Sequence, residues 1–147
     1  MTEYDGADVV IAAMTAKWDG DIITKPTGIF WGKLTSKKKV DVGLGDYCLA
    51  YEVDETAEKE DLFYDGESLK ARVTVDVRSN NEQKALQLEH AARKAISQVR
   101  RDLSAYGGGI YLYALRGQRL NHSNRAIGLF HFTRDYTLVQ PFRIMED

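Results

Sequence analysis

The chain has 147 residues, of which 44% are hydrophobic and 29% charged, with one cysteine, Cys48, and a formal charge of −2. That length predicts a single domain, residues 1–147, whose core needs no disulfide or metal staple. The composition argues against wholesale disorder, a collagen-like chain and a membrane bundle, and one cysteine rules out an internal disulfide framework or an all-cysteine zinc site.

The first segment, Met1-Thr2-Glu3-Tyr4-Asp5, is acidic where a signal peptide needs positive charge, and the apolar run Val9–Ala16 is too short to cross a bilayer. The expectation is a soluble intracellular protein. Val10, Ala13, Met14 and Trp18 recur at helical spacing, predicting a helix over 7–18 with Asp5 as its N-cap. Residues 19–45 read as a long connection, broken by Pro26, Gly28, Gly32, Gly43 and Gly45. Between these lie the apolar Ile22, Ile23, Ile29, Phe30 and Trp31, and Ser36-Lys37-Lys38-Lys39 forms an exposed tip. A connection of that length in a small domain is often functional.

Tyr47–Val53 alternates as a strand does. The following Asp54–Asp61, strongly acidic and without apolar period, is read as a solvated loop, and Leu62-Phe63-Tyr64 as the start of a further strand. The clearest strand is 71–77. Ala71, Val73, Val75 and Val77 face one way and Arg72, Thr74, Asp76 and Arg78 the other, which predicts one buried and one polar, solvated face. At Ser79 the period changes from 2 to 3.6. Ser79 with Glu82 fits a capping box, and Ala85, Leu88, Ala92, Ala95, Ile96, Val99 and Leu103 form one apolar stripe. Gly107-Gly108-Gly109 closes the helix. A meander follows: a strand over 110–116, a polar loop through Gly117, Asn121, His122 and Asn124, and then 126–134 and 136–143 as two strands or one bent one. The pattern predicts an α+β fold of order α-loop-β-β-α-β-β. Its antiparallel or mixed sheet has four to five strands, with two helices on one face.

Charge is divided unevenly. Residues 1–69 hold 7 Lys and Arg against 15 Asp and Glu, whereas residues 70–145 hold 13 against 5. Such a chain pairs its halves internally or stacks with charge-complementary neighbours. Signals for catalysis are weak. His90, His122 and His131 share no metal-ligand spacing. The three glycines follow a helix, so they face its negative end and make no phosphate cradle. Glu67, Lys70 and Asp76 are the best enzymatic candidates, for magnesium-assisted phosphodiester cleavage. Yet Glu67 and Lys70, three apart, would face opposite sides of a regular strand. Cys48 reads as a small strand residue. No cofactor is expected.

The segment Ala71–Ser79 and the helix from Glu82 to Leu103 resemble the tail-completion and tail-terminator proteins of long-tailed phages and related archaeal viruses. Val73, Val75, Asp76 and Val77 match that family's strand, and Ala85, Leu88, Ala92 and Ile96 its helix. Tyr47–Val53 resembles its first strand, and 127–136 its closing one. The resemblance implies a non-enzymatic virion protein of the tail and neck, assembled in the host cytoplasm. Six copies would form a ring at the head-proximal end of the tail tube, touching the tube protein and the neck or connector proteins. DNA would pass through without sequence-specific binding, and no membrane would be involved. The expected assembly contacts are Phe30 and Trp31 of a loop arm over 19–45, the lysines Lys37, Lys38 and Lys39, and the acidic Glu58, Glu60 and Asp61. The alternative is a nucleic-acid-binding or nuclease-like accessory protein, which the lysine run beside Phe30 and Trp31 would also suit.

Overall fold

In the computed structural model, residues 6–26, 29–31, 47–59, 66–107 and 111–144 are described. The elements are α1 (Gly6–Lys17), β1 (Ile29–Trp31), β2 (Tyr47–Lys59), β3 (Gly66–Ser79), α2 (Glu82–Val99), β4 (Tyr113–Asn121) and β5 (Phe130–Ile144), with a 3-10 turn at Arg125–Ile127. The strands form one mixed sheet in the order β1-β2-β3-β5-β4. β1 runs parallel to β2, and every other neighbouring pair is antiparallel. The fold is α+β in the expected order, with both helices on one face.

That face holds the core. Ala7, Val9, Val10, Ala13 and Met14 of α1 and Ala85, Leu88, Ala92 and Ile96 of α2 share one cluster with Ala71, Val73, Val75 and Val77 of β3, Cys48 and Ala50 of β2, and Phe132, Tyr136 and Leu138 of β5. The valine face of β3 is therefore the floor under both helices. α1 enters so close to it that a Cβ on Gly6 would sit 2.9 Å from Val73 Cγ2. At its far end, Trp18 Nε1 donates to the Ile23 carbonyl at 2.9 Å, and Asp19 Oδ2 meets Lys94 Nζ of α2 at 2.6 Å. The Lys94 bond, with the Asp21 amide on the other oxygen, holds the Asp19 carboxyl below its usual range.

Several sequence readings need correction. Residues 54–59 are not a solvated loop. They continue β2, paired from Asp54↔Arg72 to Lys59↔Glu67 after a bulge at Val53. The backbone ladder overrides poor strand propensity here, because β3 supplies a partner at every position. Ile29–Trp31 is a parallel strand on Cys48–Ala50 rather than unpaired connection. Gly117 and Asn121 lie within β4, which starts at Tyr113. At Gly117 the strand bulges, and a Cβ there would lie 2.7 Å from the Asp135 carbonyl oxygen. The closing segment is one strand from Phe130, and Ala126 belongs to the 3-10 turn. Asp5, Leu62-Phe63-Tyr64 and Gly108-Gly109 lie outside the described residues.

The helix cap also moves. Asn81 is the N-cap of α2, its Oδ1 accepting from the Lys84 amide at 3.1 Å, while Ser79 Oγ accepts from the Asn81 amide. Ser79 is still in β3 and buried, so it serves the turn into the helix rather than the helix itself. Asn81→Ala should therefore cost about 1 kcal/mol in urea unfolding. An unchanged midpoint would show that the cap contributes nothing. The helix ends at Val99, and Leu103 reaches the core from the following turn, its amide bonded to the Leu112 carbonyl at 2.8 Å.

Candidate functional site

The face of the sheet turned away from the helices carries a polar cluster. β3 and β5 bring Asp76 opposite Thr133, and Arg78 opposite His131. This face was expected to be solvated, yet Asp76 and Thr133 are buried, as is Leu49 opposite Asp76 on β2. Burial is tolerated because the charges are paired. Asp76 Oδ1 lies 2.7 Å from His131 Nε2 and 3.3 Å from Arg78 Nε, and its Oδ2 lies 3.4 Å from Arg78 Nη2. The histidine contact is close but lies off the ring's N–H direction, so His131 Nε2 makes no aligned hydrogen bond to the carboxylate. His122 Nε2 is 2.9 Å from Thr133 Oγ1, and the two imidazoles stand 5.2 Å apart. Nearby, Thr74 Oγ1 donates to Asp135 Oδ1 at 2.7 Å.

A hydroxyl, two imidazoles and a carboxylate invite comparison with a nucleophile-base-acid relay. The relay needs one imidazole bridging the other two groups. Here Thr133 meets His122 and Asp76 meets His131. The cluster holds β3, β5 and the turn before β5 together, with the His131 amide donating to Ser123 Oγ at 3.0 Å. Lone histidines in the sequence gave no hint of it. The available signal was the spacing Thr74-Asp76-Arg78 on one strand face, which demands partners once that face is covered.

The other candidates do not converge. Lys70 and Asp76 are six positions apart on β3, roughly 20 Å at strand rise, and Glu67 is further still. Among the described residues, no three His, Cys, Asp or Glu side chains are grouped to hold a metal ion. Cys48 is fully buried, and burial, aided by the Asp76 charge, pushes its thiol far above the usual value, which suits a packing residue. Of the expected assembly contacts, Phe30 and Trp31 fall in β1 and Glu58 in β2, opposite Ser68. Lys37, Lys38, Lys39, Glu60 and Asp61 lie outside the described residues.

A second feature is the β4 edge. Of five large apolar residues exposed among those described, Tyr111, Leu115, Leu120 and Ile127 lie on β4 or beside it. At its start, Arg100, Arg101, Tyr111, Tyr113, Ala114, Leu115 and Arg116 line a cavity of about 370 Å³. Sequence reading missed this surface because Leu115 looks like a core residue in a strand and Leu120 falls in what reads as a polar loop, and only the strand order makes β4 an edge. No described helix is long and apolar enough to cross a membrane. No protein-family model and no curated protein matches the chain.

Proposed function

We propose that this protein is a virion structural subunit of the tail-completion or tail-terminator kind. It forms a ring at the head-proximal end of a viral tail and joins that end to the neck. The observation that carries the reading is that, among the described residues, four of the five exposed large apolar side chains lie on the edge strand β4 (Leu115, Leu120), just before it (Tyr111) or in the turn that follows it (Ile127). Isolated monomers seldom leave such an edge bare, because it invites pairing with another chain. The α-loop-β-β-α-β-β order supports it as well. In this reading the ring surrounds the DNA path without reading sequence. The arm over 19–45 would be an assembly contact, with Phe30 and Trp31 packing against an adjacent subunit or the tail tube and Lys37, Lys38 and Lys39 meeting an acidic surface there.

A second reading rests on the cavity at the start of β4. Three arginines beside two tyrosines are also what a single-stranded nucleic-acid site uses. Electron microscopy of the purified protein, with its mass in solution, separates the two. Rings of about six copies are expected. A strict monomer that binds oligonucleotide, or cleaves DNA with magnesium and loses that activity in Asp76→Ala, would overturn the structural reading.

A further inference from the structure

The edge strands of the sheet are β1 and β4. At the start of β4 the turn after α2 occupies the edge, with the Ala114 amide donating to the Arg100 carbonyl at 2.7 Å. From Leu115 to Asn121 every residue is exposed, and no described backbone group bonds to the outer side of the strand. The register sorts the side chains of this edge into two rows, because residues directly opposite share a face. Arg116 and Arg119 stand opposite Tyr136 and Arg134 of β5, on the helix face. Three apart, they would face opposite sides of a regular strand, and the bulge between them puts both in one row. Leu115 and Leu120 stand opposite Thr137 and Thr133, on the other face. Arg119 lies over the Phe132 ring, 5.2 Å from its centre. Among the described residues no carboxylate pairs with Arg100, Arg101, Arg116 or Arg119, whereas Arg72, Arg78, Arg125 and Arg134 each have one.

An open edge offers its amides and carbonyls to any extended chain, and the side chains decide which chain is admitted. A strand laid along β4 puts alternate residues beside the arginine row and beside the leucine row. Acidic residues in the first meet cations that have no carboxylate of their own. Apolar residues in the second cover leucines that are about half exposed. Neither edge strand of a second copy has that pattern. β4 against β4 brings Arg116 and Arg119 towards like charges, and Ile29–Trp31 of β1 is uncharged.

We propose that the β4 edge, residues 115–121, docks an extended segment of another protein whose side chains alternate between acidic and apolar, added to the sheet as a further strand. The acidic row of that segment lies on the helix face against Arg116 and Arg119, and its apolar row on the opposite face against Leu115 and Leu120. At the start of the edge Arg100 and Arg101 join Arg116 around the cavity, which receives one more carboxylate. The inference rests on the assembly reading above and names the chemistry of the partner that the subunit joins.

The probe is a blocked nonapeptide of alternating valine and glutamate, added to the full-length protein, with binding read by titration and by hydrogen exchange. Slowed exchange is expected along 115–121, as backbone pairing at that edge requires. A peptide of the same composition, with its valines and glutamates in separate blocks, should bind about tenfold or more weakly. Arg116→Glu with Arg119→Glu should weaken binding of the alternating peptide about tenfold or more and admit its valine–lysine counterpart instead. Leu115→Asp, on a side chain already exposed, should weaken binding without changing the thermal melt. Equal binding of the block peptide, or full binding by the arginine variant, would reduce the contact to diffuse charge and overturn the docking. Rings that form but take up no peptide would overturn the docking and leave the ring reading standing. A strict monomer that binds the peptide along β4 would overturn the ring and leave the docking. A DNA oligonucleotide that slows exchange along 115–121 where the peptide does not would assign the edge to nucleic acid instead.

Discussion

Glu89→Ala is expected to lower the stability of the monomer by about 3–5 kcal/mol, among the largest losses available from one side chain. Glu89 sits on the sheet side of α2, where its Oε1 accepts from Arg134 Nε of β5 at 2.6 Å, and both side chains are nearly buried. Arg134 also donates from Nη1 to the Gly117 carbonyl at 2.7 Å, so one guanidinium links helix, closing strand and the β4 bulge. Removing the carboxylate leaves that cation buried beside Tyr136 with its main partner gone. Burial and the Glu89 charge already push the Tyr136 phenol well up, a measure of how little water reaches this layer. The stranded charge, rather than lost attraction, drives the cost. The paired change Glu89→Leu with Arg134→Met should therefore recover most of it, since Gly117 is exposed and water can replace the arginine. Urea unfolding of the three variants decides the matter. A Glu89→Ala loss under about 1 kcal/mol would mean that the pair is effectively solvated.

The second large effect is expected at Leu88 and Ile96. Both are fully buried on α2 and belong to the cluster that includes Val73, Val75 and Val77. Truncation to alanine removes apolar contact and leaves a cavity that the flat valine floor cannot close, so each change should cost about 2–5 kcal/mol. For a domain with total stability of about 5–15 kcal/mol, either could leave the monomer marginal at physiological temperature. A loss within about half a kcal/mol would show that helix and sheet are not the packed pair described above.

This core was legible in the sequence because it is built from period alone. Strand alternation in 71–77 fixes one apolar face, the stripe from Ala85 to Ile96 fixes another, and the switch between them at residue 79 places the two elements in succession. The partner of Arg134 was not legible. Glu89 interrupts no apolar position of the stripe and looks like an ordinary exposed carboxylate until β5 is laid beneath it. The Asp76–His131 contact has the same origin, joining strands that are neighbours in space but more than fifty residues apart in sequence.

The two strand extensions show the limit most plainly. Asp54–Lys59 has the composition of a loop, and only the presence of β3 beside it makes it strand. Leu115 reads as a core residue and Leu120 as part of a polar loop, and only the order β3-β5-β4 leaves them at an open edge. Local sequence determined the elements that carry their own apolar period, α2 and the centre of β3, along with the α+β class that follows from their order. Tertiary structure decided which polar groups were buried and paired and which strand became an edge. These depend on long-range register, which no local window of residues contains.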